Sequence, residues 1–187
     1  MFAAAMPFEV SAMQLGAMQQ ALITIGKHDE VHDQLAVETR AVLMSPHSVR
    51  WHPGRFAIDL WAGLNAVGGK PLLETFNYEM TRKSFGPVVG PLIKLGATLS
   101  GAGPASMFAR LESLCSLALR GVTFTWVPTG KHGGTQAFDY HAAIAGDVID
   151  GSWRGVIRVG AELIGTPVQV HEYESLGPSA GRLRVSW

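Results

Sequence analysis

The residues with the most chemical potential in this chain are seven histidines, one cysteine and several glycine-rich turns. His28 and His32 are four apart, so a helix would place both imidazoles on one face beside Asp29 and Asp33. Two imidazoles and a carboxylate form a zinc-type donor set. Glu30, however, stands one place away from where a His-Glu-x-x-His peptidase needs its base. Acidic residues at a helix start also complement the helix dipole, so the expectation is a solvated helix start with no metal.

Asp139 and His141 alternate on an expected strand and would share a face, either as an acid–base pair or as a hydrogen-bonded edge feature. Cys115, between Leu114 and Leu117 in an apolar stretch, reads as a buried, inert thiol. Gly101-Ala-Gly103-Pro-Ala-Ser106 resembles part of a dinucleotide fingerprint, but Pro104 removes an amide that a phosphate would use. A helix–helix turn with Pro at the first helical position explains it better. Gly130-Lys-His-Gly-Gly-Thr135 lacks the earlier glycine of a phosphate loop and reads as a mobile hairpin loop. No catalytic residue and no serine nucleophile are expected.

What remains is apolar. Ligand pockets are built mostly from apolar and aromatic walls with a few polar anchors. Trp61, Phe76, Phe85, Trp126 and Trp153 could supply such a wall, and Arg110, His141, Arg154 and Tyr173 the anchors.

These residues need elements to hold them. Apolar spacing of three and four predicts helices over residues 11–25, 29–44, 56–67, 71–85, 88–99 and 104–119. Gly68-Gly69, Gly86-Pro87 and Gly101-Ala-Gly103 separate the later ones. β-branched and aromatic residues over 122–127, then 136–144, predict a hairpin. A helix over 148–164 and two alternating strands, 168–174 and 182–187, complete the order. The fold class is therefore α+β: a helical N-terminal lobe, 1–120, packed on a strand–strand–helix–strand–strand antiparallel lobe, 121–187, in one compact domain. Gly151 and Gly155, four apart on the late helix, form a strip free of side chains for another backbone, either the lobe's own sheet or a second subunit.

Charge narrows the classes. The chain has 187 residues, 15 basic and 15 acidic, and only 16% are charged. Zero net charge without a basic run argues against nucleic acid as a partner. High apolar content excludes a disordered chain. One cysteine excludes an internal disulfide or a multi-cysteine zinc site. No basic residue precedes Lys27, so no secretory leader is expected, and no apolar run reaches a membrane span; the cytoplasm is the expected location. Residues 1–26 hold only Glu9 and residues 84–109 only Lys94, whereas residues 27–83 hold 14 charges. The two charge-poor segments should be buried, against each other, a ligand or a second subunit. Pro87, Gly90 and Pro91 would let the second bend as a lid.

Three stretches carry a family resemblance: Ser45-Pro-His-Ser-Val-Arg-Trp51-His-Pro53, Gly151-Ser-Trp-Arg-Gly155 and Arg182-Leu-Arg-Val-Ser-Trp187. On these, the chain resembles uncharacterised myxobacterial proteins whose C-terminal part is similar to 4-vinyl-reductase-type ligand domains and haem nitric-oxide-binding domains. The resemblance implies a ligand-sensing fold. It also implies metal-binding cysteines near the late helix and final hairpin, which this chain lacks. Haem-binding relatives use Tyr-x-Ser-x-Arg, and Tyr173-Glu-Ser175-Leu-Gly177 has Gly in place of Arg, which argues against haem. The leading expectation is a non-enzymatic sensory module with an apolar pocket between its lobes, taking an apolar small molecule. Alternatives are a dimeric scaffold without ligand, as in the fold-related vesicle-tethering subunits, and third a haem protein or enzyme. A homodimer or a partner protein is expected in either of the first two cases.

Overall fold

The computed structural model describes residues 7–100 and 103–187, without the side chains of 85–100, 111 and 112. The chain begins with β1 (Glu9–Ser11) and α1 (Ala12–Thr24). Ser11 caps α1, its hydroxyl accepting from the Gln14 amide at 3.2 Å. The expected helix 29–44 is two helices, α2 (His28–His32) and α3 (Val37–Met44). Asp59, from the next long helix, takes the Ala36 amide at 3.0 Å and so holds the start of α3. A 3-10 turn over Pro46–Ser48 leads to β2 (Trp51–Pro53) and then α4 (Arg55–Ser100).

α4 breaks once. Gly69 has φ 60° and ψ −157°, which only glycine adopts without strain, and the helix resumes on a new axis at Pro71. The break expected at Gly68-Gly69 is there. The end expected at Gly86-Pro87 is not, since the helix runs on to Ser100. α5 (Pro104–Cys115) starts at Pro104 as the sequence implies. The hinged lid expected between 84 and 109 rests largely on side chains outside the described residues.

β3 (Leu119–Arg120) pairs with β1, and β1 with β2, in a small antiparallel sheet of order β2-β1-β3. These two- and three-residue strands are too short to show alternation, so nothing in the sequence announced them. β4 (Thr123–Gly130), β5 (Gly133–Asp139), α6 (Gly146–Ile164), β6 (Gln169–Gly177) and β7 (Ala180–Ser186) complete the fold. The second sheet is antiparallel in the order β4-β5-β7-β6. The turn between β4 and β5 is only Lys131-His132, so the expected 128–135 loop belongs mostly to the ladder. β5 ends at Asp139, which leaves His141 in the following turn rather than on a strand beside it.

One core joins both halves. Leu15, Met18 and Leu22 of α1, Leu60, Leu64 and Phe76 of α4, Phe138 of β5, Ile157 of α6 and Leu183 of β7 are all fully buried in it. Charge-poor α1 is thus core. The strip on α6 meets neither its own sheet nor a second subunit. A Cβ on Gly155 would lie 2.5 Å from both the Glu74 carbonyl oxygen and the Tyr78 amide of α4, and one on Gly151 2.9 Å from Leu73 Cβ. α6 therefore packs backbone to backbone on the second arm of α4. Buried Asp150 fastens the same contact, paired with Lys70 of α4 and, at 2.7 Å, with Arg154 Nε. Arg154 also donates to the carbonyls of Val170 and His171 at 3.2 and 2.7 Å, tying α6 to edge strand β6.

Because the Gly155 contact is with backbone, a methyl there cannot be absorbed by a rotamer change. Gly155→Ala should lower stability by ~1–3 kcal/mol, the usual cost of overpacking. Urea unfolding of the variant, against Gly130→Ala at the exposed end of β4, where a Cβ meets open space and φ is ordinary, checks this.

Candidate functional site

The apolar cavity lies where α1, the second arm of α4, the end of α5, β4 and α6 converge. Its volume is about 70 Å³, and its wall is almost wholly apolar: Val122, Phe124, Ile144, Val148, Ile149, Trp153 and Val156 form one side. The described lining residues include no charged side chain. Gln14, Trp61, Asn77, Met80, Thr81, Cys115 and Ser152 bring the heteroatoms.

These polar side chains fall into two groups. Asn77 Nδ2 donates to the Leu73 carbonyl at 2.8 Å and to Ser152 Oγ at 3.1 Å, so that pair is internally satisfied. Gln14 is the third residue of α1, held there by the Ser11 cap, and its Nε2 donates to Met80 Sδ at 2.9 Å. Its Oε1 is left buried without a partner among the described residues, as are Trp61 Nε1 and Thr81 Oγ1. Gln14, Trp61 and Thr81 are 3%, 6% and 6% exposed. Buried polar atoms are nearly always paired; these three belong to residues that line one cavity, which makes it the candidate site, while Trp51 Nε1, Ser84 Oγ and the Gln136 amide are unpaired elsewhere. Cys115 lies in the same wall, and burial pushes its thiol up to about 12, so it stays protonated. Trp61, Ile144 and Val148 also line a shallower groove of about 230 Å³ at the surface, and so form the partition between groove and cavity.

Of the nine residues the sequence offered, Trp61 and Trp153 reach this cavity. Phe76 is core. Trp126 stacks at 4.6 Å on Phe108 and at 6.0 Å on Trp187, which docks α5 on the sheet. Arg110 and His141 are exposed. Arg154 is spent on Asp150 and the β6 carbonyls. Tyr173 hydrogen-bonds the Tyr140 hydroxyl at 2.7 Å and lies over Gly181, its own ionisation raised by burial and by that bond. Phe85 lies outside the described side chains. The sequence did not single out Gln14, Met80 and Thr81. Ser11-x-x-Gln14 is a capping signature, but it could not show that Gln14 turns away from its cap to reach a helix 66 residues on. Gly177-Pro-Ser179-Ala-Gly181 does have the spacing of a nucleophile elbow, contrary to the expectation of none. It forms the β6–β7 turn rather than a strand-to-helix corner, and the Ser179 carbonyl accepts from the Tyr140 amide at 2.8 Å.

The His28–His32 pair forms a second, separate cluster. The rings lie 4.0 Å apart. Gln19 bridges them, its Nε2 donating to His28 Nε2 at 2.9 Å and its Oε1 accepting from His32 Nε2 at 3.1 Å. His28 Nδ1 donates in turn to Asp29 at 2.8 Å. No group of three or more metal-ligating side chains occurs among the described residues. No described helix is long and apolar enough to cross a membrane.

No family model matches the chain, and no curated protein does. Solved structures do. An Fe(II) unliganded mutant H-NOX protein from K. algicida matches with a TM-score of 0.68 and 13% identity, over 94% of this chain and 95% of that one. The oxygen complex of an oxygen-binding H-NOX domain related to soluble guanylate cyclases gives 0.59 and 12%, over 94% of both chains. A structure solved to show how a protein distorts porphyrin and modulates haem redox potential gives 0.60 and 12%, over 95% and 99%. The chain therefore has the α+β fold of H-NOX domains along nearly its whole length. This corrects the expectation against haem, which rested on Gly177 replacing an arginine. The Tyr173-x-Ser175-x-Gly177 segment lies on β6 and does not line the cavity, so its departure says nothing about what the cavity holds. The same matches support the haem-domain resemblance but not the myxobacterial assignment.

The histidine cluster gives a pH prediction. Burial, then His28 and Arg40, lower the His32 pKa below its ordinary 6.5, against the opposing pull of Asp29 and Asp33. The unfolded chain then takes up the proton more readily, so this contribution is complete above about pH 6.5 and is lost as pH falls through the folded-state value. Urea midpoints between pH 7.5 and 5 should fall less steeply for His32→Gln than for the unmodified protein.

Proposed function

We propose that this chain is a non-catalytic ligand-sensing domain whose ligand occupies the cavity between α1, α4, α5, β4 and α6. The observation that supports this most is the cavity itself, an apolar space walled by residues from both halves of the chain, among them Gln14, Trp61 and Thr81, which each carry an unpaired buried polar atom. The fold adds support, because it is that of domains described by their haem and their oxygen complexes. Among the described residues the lining is uncharged and its thiol is held protonated, which favours holding a ligand over transforming it.

Haem is the first ligand to test. The wall is apolar and presents two sulfur atoms, Cys115 Sγ and Met80 Sδ, the soft donors that haem iron accepts. When bound, haem supplies an iron with open coordination positions. Cys115 would hold the iron as thiolate, losing the proton that burial otherwise retains, and Met80 is the alternative donor once released from Gln14. Trp153, packed at a tilt against Phe124 and Phe138 with ring centroids 4.8 and 5.0 Å away, would keep that side of the cavity dry. A second reading, a smaller uncharged ligand without haem, is favoured by the volume. About 70 Å³ is roughly half the ~150 Å³ cavity that admits benzene, so a porphyrin would require the walls to part.

Haem titration separates the two readings. Haem binding should give a saturable one-to-one Soret shift, altered in Cys115→Ala, and at a hundredfold excess over Kd should stabilise the fold by ~2.7 kcal/mol. A spectrum identical to that of free haem, with an unchanged Tm, would remove haem and leave the smaller ligand.

A further inference from the structure

We propose that Gln19, His28, His32 and Met44, where α1, α2 and α3 meet, form a binding site for copper(I), with the two imidazoles and the Met44 thioether as its ligands. None of these residues lines the cavity, so the site stands whatever the cavity holds.

One amide marks where the ion goes. Gln19 Nε2 lies 2.9 Å from His28 Nε2 and 3.4 Å from Met44 Sδ, and Oε1 of the same amide lies 3.1 Å from His32 Nε2. Two imidazole nitrogens of α2 and a sulfur at the end of α3 thus converge on a single side-chain group. The two rings are 4.0 Å apart, centre to centre, as imidazoles sharing one ion can be. Imidazole, thiol and carboxylate side chains alone do not reach three donors here among the described residues; the Met44 thioether makes the third. Asp29 is a positioning residue. Its carboxylate can only accept, so the 2.8 Å contact keeps a proton on His28 Nδ1 and leaves the lone pair on Nε2, as in metal-ligating histidines. His32 reaches the same state by moving its proton from Nε2 to Nδ1, with no net proton change. The Gln19 amide turns aside, and Met44, exposed and unbranched, closes on the ion. The choice of ion follows from the donors. Thioether sulfur is soft and favours copper(I), whereas imidazole alone suits zinc, copper and nickel alike. All three ligands are neutral, and Gln19 and His32 are buried, so a single charge is easier to desolvate here than a double one.

Copper(I) is titrated into the full chain without oxygen, in competition with the chromophoric chelator bicinchoninate, and zinc(II) is titrated in parallel by calorimetry. The chain should withdraw copper(I) from the chelator in one-to-one ratio and bind it more tightly than zinc(II). The imidazole NMR signals of His28 and His32 should shift over the same titration. His28→Gln should abolish binding. Asp29→Asn, at an exposed position, should weaken copper(I) by about tenfold, the usual loss when the outer partner of a ligating histidine is removed. Met44→Leu, also exposed, should remove the preference for copper(I) over zinc(II). Failure to draw copper(I) from the chelator would overturn the proposal. Copper(I) taken up without moving the two imidazoles would overturn it in favour of a site elsewhere on the chain. An unchanged preference in Met44→Leu would overturn the thioether ligand and, with it, the copper(I) assignment.

Discussion

The backbone contact between α6 and the second arm of α4 sets the geometry of everything around it. Gly151 and Gly155 have no side chain to hold the helices apart, and a single Cβ at Gly155 would meet two α4 backbone atoms at 2.5 Å. With the axes that close, Trp153 and Val156 on the next face of α6 reach the interior beside Met80 and Thr81 of α4. The Lys70–Asp150–Arg154 cluster fixes the contact from the polar side and carries it on to β6 through two carbonyl bonds. Moving α6 by the width of a methyl group would remodel the cavity, the sheet edge and the core together.

The kink at Gly69 is the other half of this arrangement. The first arm of α4 brings Trp61 to the partition between cavity and surface groove. The second brings Asn77, Met80 and Thr81, and the change of axis lets one helix line two sides of the same space. α1, started by the Ser11 cap, closes it with Gln14. Elements from both halves of the chain thus line the cavity, and they share one core.

Much of the fold was legible in the sequence, for local reasons. Six-residue or longer elements showed their period, and Gly68-Gly69, Gly165 and Pro104 acted as the breaker, cap and starter their chemistry suggests. The β2-β1-β3 sheet was not, because two or three residues cannot display a period of two. The split of residues 29–44 was hidden as well, since the group that holds the start of α3 is Asp59, far along the chain. For the site, large aromatics were a fair guide at Trp61 and Trp153 and a poor one at Phe76 and Trp126, which fill core or stack on other rings. Arg154 and Tyr173 looked like anchors because polar groups on apolar faces often are, yet the fold spends both on itself. Gln14 and Thr81 stand out only as buried atoms lacking a partner, a property that exists in three dimensions alone. The motif taken as evidence against haem lay on a strand away from the cavity.

The central claim is that this cavity holds a ligand, and native mass spectrometry of the purified chain, compared with its denatured mass, tests it most directly. The account predicts an added mass in one-to-one ratio that is shed on unfolding. A bare chain mass under the gentlest ionisation, identical to the denatured one, would contradict it.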